Sequence, residues 1–111
     1  MSNETKQDIA LIAPRGRLDA AGARPLDEEL KNHIAAGRVH LLVDLKETRY
    51  VSSNVMRVLL AAHKRAQTFG GGLALCCLTP RLLEIFEMAG FDRVFTIYAT
   101  RTDAEAALTR P

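Results

Sequence analysis

The sequence predicts a small α/β fold, a mixed and largely parallel sheet with helices packed against it, and three observations carry that prediction. Short apolar runs alternate with amphipathic helical ones in the order βαβαβαβα, which calls for crossover connections between parallel neighbours. The run V-H-L-L-V-D-L (39–45) is leucine-rich with little polar alternation, the pattern of a strand covered on both faces. Stop and start signals (glycine, proline, hydroxyl residues) fall between the runs rather than inside them.

The elements follow in order. I-A-L-I-A (9–13) reads as a strand, stopped by Pro14 and Gly16. Residues 22–36 read as a helix: Leu26, Leu30 and Ile34 share one face, Asp27, Glu28, Glu29 and Lys31 lie largely elsewhere, and Gly37 ends it. Pro25 fits only if it falls in the first turn. After the 39–45 strand, a helix is expected from Ser53 to Phe69, with Val55, Val58, Leu59, Ala62, Ala66 and Phe69 as its stripe and Gly70-Gly71-Gly72 as its stop.

L-A-L-C-C-L (73–78) is a third strand. Thr79-Pro80 opens a helix with a hydroxyl cap and a proline at the first position; Leu82, Ile85, Phe86 and Ala89 form its apolar face and Gly90 closes it. V-F-T-I-Y (94–98) is a fourth strand, and Thr102-Asp103-Ala104-Glu105 matches a capping box before a helix to about Leu108. Residues 3–8 give no clear signal for an added edge strand. No linker or repeat divides the chain, so residues 1–111 are expected to form one domain.

Composition removes several functional classes. The chain has 111 residues, 15 basic and 13 acidic, with the basic ones scattered, so no nucleic-acid-binding arm is expected. No apolar stretch approaches the ~20 residues that cross a bilayer, and the polar, acid-containing start is unlike a signal peptide. Cys76 and Cys77 are adjacent, and in a strand their side chains point to opposite faces; a disulfide framework is not expected, and a reducing cytoplasm is the natural setting.

Enzyme templates also fail. His33, His40 and His63 lack ligand spacing, so no metal site is expected. Gly70-Gly71-Gly72 lacks the Lys-Ser/Thr of a phosphate loop and the dinucleotide pattern. Neither serine of Ser52-Ser53 sits in a nucleophile elbow. The two cysteines lie in an apolar run, and Asp19, Asp44 and Asp92 are not spaced as a pair. The expectation is a protein without catalysis of its own and without a cofactor.

The serine pair remains. Serine is a strong helix cap, contributing ~1 kcal/mol. A helix N-terminus also carries a partial positive charge and free N–H groups, so a phosphate added there is accommodated by the fold while the surface gains ~1.5–2 negative charges. Arg57, one turn after Ser53, is placed to add a counter-charge.

With those residues in view, the chain resembles the STAS domain family of sulphate transporters and anti-sigma factor antagonists, in particular its small free-standing bacterial members. G-R-L-D-A-A (16–21), H-L-L-V-D-L-K-E-T-R-Y-V-S-S (40–53), G-G-G-L-A-L-C-C-L-T-P (70–80) and L-L-E-I-F-E-M-A-G-F (82–91) carry the resemblance over nearly the whole chain. It implies an anti-sigma factor antagonist that works by partner switching. The partner is an anti-sigma factor with serine kinase activity, which phosphorylates the second hydroxyl residue of an Asp-Ser-Ser/Thr-Gly motif, and a serine phosphatase restores it. That hydroxyl corresponds to Ser53, with Ser52, Asn54 and Arg57 as part of the partner surface.

Val51 stands where the family has aspartate and Asn54 where it has glycine, so the resemblance supports binding more directly than phosphorylation. The alternative within the family is a subunit of a lipid-transporting ABC system that docks on the ATPase without a serine switch. Some STAS domains bind nucleotides, and nothing in this sequence specifies such a ligand.

Overall fold

The computed structural model describes residues 9–109, and residues 3–8, which give no clear signal for an edge strand, lie outside them. Six strands and four helices follow in the order β1 (Ile9–Ile12), β2 (Gly16–Leu18), α1 (Ala20–Ala35), β3 (His40–Asp44), β4 (Thr48–Val51), α2 (Ser53–Thr68), β5 (Gly72–Cys76), α3 (Pro80–Met88), β6 (Thr96–Tyr98) and α4 (Arg101–Leu108). A 3₁₀ turn over Phe91–Arg93 precedes β6. Four strands form a sheet in the order β1-β3-β5-β6, and β2 pairs with β4 apart from it. Every pairing among the described residues is parallel.

Crossover helices explain that parallelism, and the core shows where they lie. Leu26, Leu30 and Ile34 of α1 and Val55, Leu59, Ala62 and Ala66 of α2 are buried with Leu41, Val43, Leu73 and Leu75 of the sheet and with Leu82 and Phe86 of α3. The opposite face holds Leu42, Ala74 and Cys76 under Ala104 of α4. Leu41, Leu42 and Val43 are each 0% exposed, as the scant polar alternation of the run at 39–45 predicts. Burial departs from prediction at Phe69, 61% exposed because α2 ends at Thr68, and at Ala89, exposed just past the end of α3; Met56 is buried in addition.

Four readings of the sequence change. Strands β2 and β4 are additional; Thr48, fully buried between them and the preceding loop, donates its hydroxyl to the Pro14 carbonyl at 2.8 Å. Helix α1 begins at Ala20, because the Asp19 carboxylate accepts the N–H groups of Ala21 (3.1 Å) and Gly22 (3.3 Å). Pro25 is therefore its sixth residue, beyond the first turn, and the Ala21 carbonyl it leaves unpaired lies on an exposed stretch where water can bond it. Helix α4 is capped by Thr100, whose hydroxyl accepts the Asp103 N–H at 3.0 Å, rather than by Thr102; Glu105 instead pairs with Arg101 at 3.0 Å.

The fourth change concerns the cysteines. Strand β5 stops at Cys76, and Cys77 adopts a left-handed φ of 64°. Strand alternation is lost at that peptide, so the two thiols do not part to opposite faces: their sulfurs lie within 4.8 Å of each other.

The triple glycine divides its work. Gly70 takes a left-handed φ of 88° after α2. At Gly71 a Cβ would overlap the backbone carbonyl of Val39, so the chain passes there only without a side chain.

Candidate functional site

Ser52, Ser53, Asn54 and Arg57 come together at the start of α2, and β4 delivers them there. Tyr50 is exposed and Val51 is 5% exposed, so strand alternation turns Val51 into the core. The next residue, Ser52, donates its backbone N–H to the Leu18 carbonyl at 2.9 Å and so continues the β2–β4 pairing. Its hydroxyl oxygen accepts the Val55 N–H at 3.2 Å, and its carbonyl accepts the Met56 N–H at 3.0 Å. Ser52 is the N-cap, half-buried and fully committed.

Ser53 differs in every respect. It is the first residue inside the helix and exposed, and among the described residues its hydroxyl has no hydrogen-bond partner. The serine pair is thus one cap and one free hydroxyl.

Asn54 lies inside the helix at an ordinary helical φ, so no unusual turn has to be tolerated there. Its Oδ1 accepts Nη1 of Arg57 at 2.8 Å. The guanidinium is tied to the helix surface beside Ser53 and is exposed, available to an incoming anion.

Strands β2 and β4 also carry exposed basic residues. Arg17 lies over the Tyr50 ring at 4.4 Å on the exposed side of β2–β4. At the far end of the same strands, Arg15, Arg17, Lys46 and Arg49 line a cleft of about 500 Å³ together with Glu47 and Thr48. Reading motifs one at a time hides this patch. Its only trace in the sequence is the alternation Arg17-Leu18 and Tyr50-Val51, exposed then buried in each strand. A cleft of about 700 Å³ along β6 and α3 includes none of Ser52, Ser53, Asn54 or Arg57. Among the described residues no helix is long and apolar enough to cross a membrane.

Comparison with known proteins identifies the family and the fold. The family model of the STAS domain matches residues 1–104. BtrV of Bordetella bronchiseptica, whose name places it among the anti-sigma factor antagonists, is 36% identical over 103 residues, covering 92% of this chain and 89% of its own. A crystal structure from Thermotoga maritima, assigned to the same class, superposes with a TM-score of 0.86 at 18% identity over 92% of this chain and 88% of that one. The Bacillus cell fate determinant SpoIIAA in its phosphorylated form gives a TM-score of 0.72 at 15% identity over 96% of each chain. At the identities of these two structures the likeness concerns the fold.

Proposed function

The chain belongs to the STAS domain family, and from that premise we propose that it is an anti-sigma factor antagonist that switches partners through the start of α2. It binds an anti-sigma factor as a single-domain, cytoplasmic regulatory protein, with no catalysis of its own and no contact with nucleic acid. The division between Ser52 and Ser53 carries this reading. Because Ser52 does the capping, Ser53 is free to be modified without loss of the helix. The anti-sigma factor acts as the serine kinase on Ser53, and a phosphatase returns the hydroxyl.

The physical effect of the phosphate is on the surface. The N–H groups of Ser53 and Asn54 have no protein partner among the described residues and, with the helix dipole, accept negative charge. The added charge of ~−1.5 to −2 alters the exposed face at the start of α2, where Asn54 holds Arg57. A partner whose acidic groups dock on that face is expelled by like charge.

Capture from host lysate with wild-type and Ser53→Asp baits tests the proposal. The expected result is an anti-sigma factor with a kinase domain, retained by wild type and lost by Ser53→Asp. Equal retention of a transporter ATPase by both baits would instead make the chain a docking subunit and Ser53 a bystander.

A further inference from the structure

The C-terminal ends of β3 and β5 assemble a second group of reactive side chains, remote in sequence from the serine pair. Asp44 and Cys76 are direct neighbours in the parallel register, each the last residue of its strand. They share the α4 face, because Leu42 and Ala74, two residues earlier, face Ala104. The left-handed turn at Cys77 brings a third side chain to the same place. One carboxylate oxygen and both sulfurs all lie within 4.8 Å of one another.

Two features of this cluster go beyond packing. Asp44 is only 8% exposed, yet among the described residues it has no salt-bridge partner; Arg101, at the start of α4, pairs with Glu105 instead. Its carboxylate accepts one hydrogen bond, from the Lys46 N–H, and feels the charge of Arg101 at the mouth of the cluster, which leaves it acceptor capacity for a bound cation. The cluster also has an approach, a cleft of about 560 Å³ lined by Asp44, Cys77, Lys46, Thr100 and Arg101 among others.

We propose that Asp44, Cys76 and Cys77 form a binding site for a thiophilic divalent cation of the zinc class, with the fourth ligand, water or a partner's side chain, entering from the cleft. Two thiolates and a carboxylate suit Zn²⁺, whose bonds of ~2.3 Å to sulfur and ~2.0–2.2 Å to oxygen require the three atoms to close by only about 1 Å. The supports are already in place. The Asp44 Oδ1 accepts the Lys46 N–H at 2.9 Å, the Cys76 carbonyl accepts the Leu45 N–H at 3.0 Å, and the Cys77 N–H donates to the Tyr98 carbonyl at 3.2 Å.

Binding converts two thiols into metal thiolates and releases two protons, leaving the site with a net charge of −1 that faces Arg101 and Lys46. Burial, contact with Cys77 and the nearby Asp44 push the Cys76 thiol up to about 12, with Arg101 opposing them.

Titration of the full chain with Co²⁺, an absorbing stand-in for zinc, tests the site. The expected result is a thiolate-to-cobalt charge-transfer band that saturates at one equivalent and is abolished by added Zn²⁺. Cys77→Ser and Asp44→Asn, checked for native circular dichroism, should each weaken binding by roughly tenfold or more, since lost second-shell contacts alone have that effect. No charge-transfer band in folded wild type, or an undiminished one in both variants, would overturn the proposal.

Discussion

The carbonyl of Leu18 accepts the backbone N–H of Ser52 at 2.9 Å, so the pairing of β2 with β4 runs on into the first residue that caps α2. Leu18 itself sits beside Val51, and one residue further on Asp19 caps α1 while Ser52 caps α2. Two parallel strands thus deliver two helix starts at the same level. The exposed Ser53 stands on a foundation to which its own side chain contributes nothing.

Ser52→Ala should lower stability by about 1 kcal/mol through loss of the bond to the Val55 N–H. Ser53→Ala should change it by under about 0.5 kcal/mol, and Ser53→Asp should be neutral or stabilising by ~0.3–1 kcal/mol, because its charge meets the positive end of α2. Urea unfolding of the three variants checks the ranking, and an equal loss in Ser52→Ala and Ser53→Ala would refute the division of roles.

Val51→Asp, which restores the acid of the family motif, should destabilise this chain by roughly 3 kcal/mol or more. Val51 is 5% exposed within the apolar core, where a carboxylate must either ionise unpaired or take up a proton. A melting temperature unchanged from wild type would show that the strand end can turn the side chain outward.

His63 makes stability depend on pH in one direction. Burial lowers its pKa below the ordinary 6.5, and its Nδ1 accepts the Leu73 N–H at 2.9 Å, a bond the protonated nitrogen cannot accept. The unfolded chain therefore binds the proton first. As pH falls from 6.5 toward the lowered value, stability is lost; above 6.5 this residue contributes no pH dependence. Chemical unfolding at pH 7.5 and 5.5 should show wild type losing ground relative to His63→Gln, and parallel profiles would exclude the effect.

Gly71→Ala should destabilise by about 3 kcal/mol, because the new methyl meets the Val39 backbone, which cannot move without disturbing the bond from the Gly72 N–H to the Val39 carbonyl at 2.9 Å. Differential scanning calorimetry reads the loss directly.

What the sequence discloses here follows the range of the forces involved. The buried faces of α1 and α2 and the double-sided burial of β3 are legible, since periodicity is a local record of burial. So is the Thr79 cap, because hydroxyl followed by proline suits that geometry alone. Strands β2 and β4 escape notice because three or four residues with exposed arginines and a tyrosine leave too little alternation to read. Ser52, Ser53, Asn54 and Arg57 meet at one helix start because they are close in sequence, but which serine caps the helix depends on placing its boundary to within one residue. The neighbourhood of Asp44 and Cys76, 32 positions apart, exists only through the register of β3 with β5.

The freedom of the Ser53 hydroxyl also governs what an observer of this protein can see. A phosphate on that residue would change no buried contact and remove no cap, so its effect on stability would be confined to the ~0.3–1 kcal/mol with which the helix start receives a negative charge. Under the proposed switch, the two forms would share one fold and differ in the charge that a binding partner meets at the start of α2.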